Sequence, residues 1–300
     1  MQDRQIRKAV IPVAGLGTRL LPITKAIPKE MLPIVDRPAV HLIVEEAVDA
    51  GIEQIIFITG RGKNAIEDYF DHNFELNEVL RRRNRATDVT MLEDIATRGS
   101  FSFVRQTEPL GLGHAVLCAE PFVGEEPFAV LLGDDLIFSE GQSRPALEQL
   151  TDAYQRTNVS QVALMEVPRE DLHRYGVADG RASPENAREF DIRGLEEKPR
   201  PGSEKGSHAI VGRYVLSPKI WPILKSMTIR SGEELQITGA LEQLRQEHGL
   251  KGYCFEGTRI DAGDRMGLLH ANLFAALRRD DMRTETIALL KLLGEQCQVD

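Results

Sequence analysis

The stretch that most constrains this chain is residues 9–33, AVIPVAGLGTRLLPITKAIPKEMLP. A short apolar run around Pro12 reads as a buried strand, and the two glycines of Ala14-Gly15-Leu16-Gly17-Thr18-Arg19 then break it. Glycine reaches backbone conformations closed to other residues, so successive N–H groups there can turn toward one point and cradle an anion. Arg19, Lys25 and Lys29 follow in a segment punctuated by Pro22 and Pro28, which keeps three cations nearby without letting them repack as a helix. A polyphosphate is the expected guest. A tight structural turn with solvated cations is the competing reading.

Two common phosphate loops do not fit these residues. A dinucleotide fingerprint needs a third glycine where Leu20 stands and a helix opening at once, which Pro22 opposes. A P-loop needs Gly-Lys-Ser/Thr, and Gly17-Thr18-Arg19 does not supply it.

The 300 residues, 42% hydrophobic, are enough for one large or two ordinary domains with a proper core. A net charge of -9 argues against non-specific binding to nucleic acid or anionic membranes, so phosphate recognition must come from local cations in an acidic body. Three cysteines, far apart and odd in number, read as unpaired thiols rather than a disulfide frame or zinc site. The first apolar run, interrupted by Pro12 and leading into the glycine loop, reads as a core strand and not a cleaved signal, and no stretch approaches a membrane span. A cytoplasmic enzyme is the expectation.

Periodicity places further elements. Residues 38–51 have helical spacing, with Pro38 in the first turn and Gly51 at the end, and residues 54–59 read as a strand apolar on both faces, suited to a parallel sheet covered by helices. Residues 64–80 read as a helical region, followed by Arg81-Arg82-Arg83-Asn84-Arg85, a solvated or subunit-contacting face. After a strand over 101–105, Gln106 opens a loop held extended by Pro109, Gly111 and Gly113; a Gln amide can both donate and accept, as reading a pyrimidine edge requires, although a plain strand-to-helix turn fits as well. His114 stands open between a core and a capping role. Residues 127–132 form a third buried strand ending in Gly133-Asp134-Asp135. A carboxylate at such a strand end is a natural Mg²⁺ ligand beside a triphosphate; Asp134 is favoured, with a turn or N-cap aspartate as the alternative. Further on, 159–167 and 209–216 read as strands, Tyr175-Gly176-Val177 as a close-approach turn, and Glu196-Glu197-Lys198-Pro199 as the end of an extended segment. Trp221 reads as core or subunit contact, and helical patterns over 266–277 and 286–293 pack on the sheet or on another subunit.

GLGTR followed by PKEMLPIVDRP, then QTEPLGLGHA, YGV, EKP and IVGRYVL in that order, resembles the sugar-nucleotide pyrophosphorylases, most specifically the bacterial UTP-glucose-1-phosphate uridylyltransferase family. The likeness covers most of residues 8–278 and is loose over 73–100 and the tail. It implies an α/β, Rossmann-like three-layer nucleotidyltransferase fold with a mainly parallel mixed sheet. Residues 1–278 form a single domain, with a nucleotide-binding half over 8–135 and a sugar-phosphate half over 159–264, and 279–300 form a helical tail.

By that resemblance Ala14, Gly15, Leu16, Gly17 and Thr18 wrap the triphosphate, Arg19 and Lys29 contact phosphates, and Glu30, Gln106 and Gly111 surround the base. Asp134 and Asp261, the latter in the late Asp-x-Gly element, hold Mg²⁺. Gly176 and Val211 lie along the pyranose, Glu197 accepts from sugar hydroxyls and Lys198 holds the sugar phosphate, so that Arg19, Lys29 and Lys198 carry catalysis. The implied reaction joins UTP and glucose 1-phosphate into UDP-glucose and pyrophosphate. The partners are those substrates, with no nucleic acid and no membrane, in a homo-oligomer (dimer or tetramer). Gly239 departs from the family, where an Asp follows the threonine; Thr238 is still expected to cap its helix. A thymidylyltransferase shares nearly all of these motifs. A catalytically silent regulatory subunit is the other rival, and intact Thr18-Arg19, Lys29, Asp134, Lys198 and Asp261 argue against it.

Overall fold

The architecture is that of a computed structural model, which describes residues 5–228 and 233–297. Strand β1 (Lys8–Pro12) runs into the glycine loop, whose proline-rich continuation forms three isolated 3₁₀ turns, Thr18–Leu20, Ile23–Lys25 and Lys29–Met31, instead of an α-helix. A short ladder of β2 (Pro33–Ile34) and β3 (Arg37–Pro38) leads into α1 (Ala39–Asp49). Next come β4 (Gln54–Thr59), α2 (Asn64–Phe70), α3 (Phe74–Arg82), α4 (Ala86–Thr97) and β5 (Ser100–Arg105). The helical region expected over 64–80 is present, as two helices. Asp71 turns extended, and the Asn73 side chain restarts the helix by accepting from the Leu76 N–H at 3.0 Å.

The middle of the chain supplies α5 (Leu112–Leu117), α6 (Glu120–Val123), β6 (Phe128–Leu131), β7 (Asp135–Phe138), α7 (Ala146–Thr157) and β8 (Ser160–Glu166). Then follow β9 (Gly176–Ala182), β10 (Glu189–Glu197), β11 (His208–Leu216), α8 (Ile220–Ser226), α9 (Ile237–His248), β12 (Leu250–Cys254) and β13 (Thr258–Asp261). Helices α10 (Arg265–Arg278) and α11 (Arg283–Cys297) pack on each other at the end. Gly176 begins a strand rather than a turn, although the close approach is real: a Cβ there would lie 3.1 Å from Thr238 Oγ1.

Nine strands form one sheet in the order β5-β4-β1-β6-β11-β8-β12-β10-β9. Only β10 and β11 run against the others, so the sheet is mixed but mainly parallel in direction. The two-residue period of the strands builds two cores. Ala9, Ile11, Ile55 and Phe57 face one, with Val40 and Ile43 of α1; Val10, Ile56 and Ile58 face the other, with Val116, Leu224 and Leu241 of α5, α8 and α9. Each Val, Leu, Ile or Phe among them contributes roughly 1.5–3 kcal/mol of burial, which makes the helix-sheet-helix sandwich the stable arrangement. Trp221 is core: it stacks on Phe128 with centroids 4.5 Å apart and donates its indole N–H to Gly124 O. The arginine run is a solvated face in which Arg81, Arg82 and Arg85 pair with Glu93, Glu78 and Asp88. Cys118, Cys254 and Cys297 are free.

The strand order locates the ligand crevice. From β1 the chain steps outward to β4 and β5, then returns to the opposite side of β1 as β6. Ligands collect at the carboxyl ends of strands where the order reverses in this way, because the loops there diverge and leave a cleft. The glycine loop follows β1, and Gly133-Asp134 follows β6.

Candidate active site

Among the described residues, no backbone N–H of residues 14–19 donates to a protein acceptor, so the loop after β1 presents a row of free donors. Gly17 makes this possible: its φ of 66° is left-handed, and its carbonyl is pinned from behind by the Thr24 hydroxyl at 2.8 Å. Lys29 runs along the loop, with its Cε 3.8 Å from where a Gly15 Cβ would stand. Ala14, Gly15, Leu16, Gly17, Thr18, Lys29, Glu30, Gln106, Gly111 and Asp134 all line one cavity of about 440 Å³. Lys25, expected beside the cradle, is exposed and lines neither this cavity nor its neighbour.

At the far end of that cavity Gly111 adopts a φ of 95°, and a Cβ there would lie 2.8 Å from Leu235 O, so only glycine fits the turn. Gln106 is buried and its amide nitrogen is committed inside the protein, donating to Gly111 O at 3.1 Å and His114 Nδ1 at 3.0 Å. It therefore offers a ligand only its carbonyl, a correction to the expectation that this amide both donates and accepts. His114 orients Gln106 and caps nothing. Glu30 is 1% exposed and paired with Lys63 at 2.7 Å.

Beyond the glycine loop the charges converge. Lys29 Nζ lies 2.5 Å from Asp134 Oδ2, and Arg19 spans 3.6 Å to Asp134 and 3.6 Å to Asp261. A Cβ at Gly263 would sit 2.6 Å from Asp134 Oδ2 and 2.8 Å from Asp261 Oδ1, so both carboxylates close on one small space. Burial works against charge here, yet Lys29 and Arg19 hold the Asp134 carboxyl below its usual value, and Asp134 with Glu30 holds Lys29 above its own. Neighbouring Asp135 has a different task. Fully buried, it accepts from Gly212 N at 2.6 Å and from the Arg259 guanidinium, and its burial raises its pKa.

Asp134 also borders a second cavity of about 480 Å³, lined by Arg19, Gly176, Glu197, Lys198, Val211 and Asp261. The Thr238 hydroxyl donates to Glu197 Oε2 at 2.5 Å. Helix α9 begins after Gln236, so Thr238 lies inside it and caps nothing, contrary to expectation; Gly232, upstream of it, lies outside the described residues. Lys198 has left-handed backbone, φ 44°, held by its N–H on Tyr175 O at 3.0 Å. Such a conformation costs on the order of 1–3 kcal/mol and is concentrated at functional sites. Its ammonium is 3.7 Å from Glu197 and remains largely exposed.

Apart from Lys25, every site residue named from the sequence thus borders one of two joined cavities. Three that matter were given no site role from the sequence: Lys63 beneath Glu30, Arg259 between Asp135 and the second cavity, and Tyr175, whose hydroxyl accepts from Arg259 at 3.2 Å. Gly62-Lys63 after β4 and Arg259 two residues before Asp261 were the available signals.

A mainly parallel sheet with free N–H donors at its switch point, two cations and two carboxylates beyond, and a polar cavity alongside defines a nucleotide-binding α/β protein that does chemistry on phosphates. The chain belongs to the nucleotidyltransferase family, whose pattern it matches over residues 8–277. It is 42% identical over 288 residues to the UTP-glucose-1-phosphate uridylyltransferase of Bacillus subtilis (strain 168), covering 96% of this chain and 97% of that one. Among solved structures it resembles a UDP-glucose pyrophosphorylase complexed with UDP-glucose, at TM-score 0.83 and 39% identity, covering 92% of this chain and 100% of that one. It also resembles the UTP-bound UGPase from Acinetobacter baumannii, at TM-score 0.88 and 40% identity, covering 95% and 99% of the two chains.

Proposed function

We propose that this protein transfers the uridylyl group of UTP to glucose 1-phosphate, releasing pyrophosphate and leaving UDP-glucose. The observation that carries the reading is the free N–H row of residues 14–19, with Lys29 and Arg19 behind it, opening through Asp134 into the second cavity. Two cavities sharing one charged wall suit two phosphorylated substrates that must meet. A phosphate oxygen of the sugar attacks the α-phosphorus in line with the departing pyrophosphate, so no covalent nucleophile is needed, and the protein positions and neutralises.

In this assignment the glycine loop and Gln106 hold the nucleotide, Arg19 and Lys29 steady the leaving pyrophosphate, and Lys198 aligns the attacking phosphate. Glu197, oriented by Thr238, accepts from the pyranose, which lies along Gly176 and Val211. Asp134 and Asp261 would hold Mg²⁺; the fit rests on two hard carboxylates closing on the space at Gly263, with no cluster of three or more His, Cys, Asp or Glu among the described residues. A carboxylate pair suits an ion that takes its other ligands from phosphate and water, and when bound it would offset triphosphate charge.

Homo-oligomeric assembly as a dimer or tetramer belongs to the proposal, supported by the exposed Ile287, Leu289, Leu292 and Leu293 of α11. So does a cytoplasmic location; no helix among the described residues is long and apolar enough to cross a membrane. The test is pyrophosphate release with glucose 1-phosphate, Mg²⁺ and a panel of triphosphates. UTP should be best and dTTP roughly ten- to two-hundredfold poorer, since a methyl group alone discriminates weakly. A dTTP value at or above that of UTP would overturn the uridylyl assignment.

A further inference from the structure

A guanidinium carries donors on all three of its nitrogens, and one held inside a protein is expected to find acceptors for them. Arg259, whose side chain is only 10% exposed, uses two of its nitrogens on the described residues: Nε donates to Asp135 Oδ1, and Nη1 to the Tyr175 hydroxyl at 3.2 Å. Its Nη2 stands 3.8 Å from Asp261 Oδ2, too far for a hydrogen bond. Nor is Nη2 sealed in the interior. Among the described residues, the buried side-chain atoms without a partner are Glu30 Oε1, Asn77 Oδ1, Gln161 Oε1 and Glu204 Oε2. The unpartnered Nη2 is therefore accessible, on a charged group that borders the second cavity.

The fold also fixes where that group points. Alternation along β13 puts Arg259 and Asp261 on one face, and the register sets Asp261 opposite Asp135 of β7. Asp135 takes the Nε edge, and the Tyr175 ring lies 5.4 Å from the guanidinium carbon, so Arg259 is held from two sides with Nη2 on the Asp261 side. Arg19 reaches the same Asp261 carboxylate at 3.6 Å while also pairing with Asp134, which borders both cavities. Arg259 thus stands where the second cavity opens toward the first. We propose that Arg259 binds the phosphate of the sugar 1-phosphate through Nη2, as a second cation beside Lys198. An attacking phosphate must be aimed as well as held, and a planar donor group already locked by Asp135 and Tyr175 loses little freedom in aiming it. Lys198, exposed on a flexible stem, supplies charge without that fixed direction.

This proposal rests on the uridylyl-transfer reading, which the unaltered protein tests by itself: no turnover of UTP and glucose 1-phosphate would sink that reading, whatever the variants do. The variants are Arg259→Gln, Asp135→Asn and Asp135→Asn/Arg259→Gln, each with a melting curve, KM for glucose 1-phosphate and a calorimetric Kd for UTP. Arg259→Gln should raise KM about ten- to a hundredfold, the worth of a charged hydrogen bond. UTP affinity should barely change, because Arg259 borders the second cavity and not the first. Removing Arg259 alone strands the buried Asp135 carboxylate and can cost the fold, so the deciding comparison is the double variant against Asp135→Asn, where an amide pair replaces the ion pair. The double variant should melt close to the single one and still show a KM about tenfold higher or more. A KM equal to that of Asp135→Asn would mean that Arg259 serves only Asp135, and would overturn the proposal, as would equal losses for UTP and glucose 1-phosphate. The last arm compares glucose 1-phosphate with galactose 1-phosphate and xylose 1-phosphate, which keep the phosphate and alter C4 or C6. Their kcat/KM ratios should be unmoved by loss of Arg259; a changed ratio would assign Arg259 to the pyranose and overturn the phosphate contact.

Discussion

Replacing Gly263 by alanine probes the convergence of charges without altering any charged residue. The added Cβ would lie 2.5 Å from Arg19 Nη2, 2.6 Å from Asp134 Oδ2 and 2.8 Å from Asp261 Oδ1, where ordinary contact begins at 3.4 Å. Each group must then retreat by roughly 0.6–0.9 Å. The backbone itself is not strained, since Gly263 is not among the residues with positive φ. The groups that move are side-chain ends bordering a cavity, so folding is little affected: Tm should shift by no more than about 4 °C, equivalent to roughly 1 kcal/mol. Catalysis is far more sensitive. Displacing catalytic groups by about 1 Å costs on the order of a hundredfold in rate, close to 2.7 kcal/mol on the barrier. Pyrophosphate release with UTP, glucose 1-phosphate and Mg²⁺ reads the effect. The control is Gly239→Ala, whose Cβ would meet only Met227 Cε at 3.1 Å and should leave kcat/KM within about twofold. A folded Gly263→Ala protein with near-normal kcat/KM would refute the idea that both carboxylates and Arg19 act together at this point.

Lys198→Ala removes the exposed ammonium at the second cavity, so kcat/KM for glucose 1-phosphate should fall about ten- to a hundredfold, the worth of a charged hydrogen bond. UTP affinity by calorimetry should barely change; equal losses for both substrates would point to a general disturbance. Glu46 accepts three bonds from Arg213, which is fully buried. Glu46→Leu leaves that guanidinium charged and largely unpaired, at a cost of about 3–5 kcal/mol and a Tm loss of roughly 10 °C, while Glu46→Leu/Arg213→Met should recover most of it. A loss under about 1 kcal/mol in the single variant would refute this account. His208 packs on Phe190, and burial lowers its pKa below the ordinary imidazole value of about 6.5, with Glu166 opposing. A depressed folded value means the unfolded chain takes up the proton first on acidification. The stability contribution is thus intact above pH ~6.5 and is lost below it. Melting curves between pH 5 and 8 should show a decline on the acid side that His208→Phe reduces; an unchanged slope would remove His208 as a cause.

Much of this protein is legible along the chain because the relevant physics is local. The unbroken apolar run in residues 54–59 required a strand covered on both faces, and Ile55 and Phe57 do face one core while Ile56 and Ile58 face the other. Glycine and proline spacing in residues 14–28 ruled out a helix after β1, and three short 3₁₀ turns stand there. Where local rules compete, the sequence alone misleads. Thr238 precedes a helical pattern as a cap would, yet the helix starts after Gln236 and the hydroxyl turns to Glu197 on another strand. Gln106 has donors to offer a base until Gly111 O and His114 claim them. The pairings that only tertiary structure decides join residues distant in sequence: Lys63 with Glu30 across 33 positions, Arg259 with Asp135 across 124, Arg213 with Glu46 across 167. A lysine or arginine in a sequence reads as solvated, because an isolated charge is too costly to bury. Its burial becomes favourable only when the strand order brings its carboxylate alongside, and that order, with β1 between β4 and β6, depends on how the two cores close together.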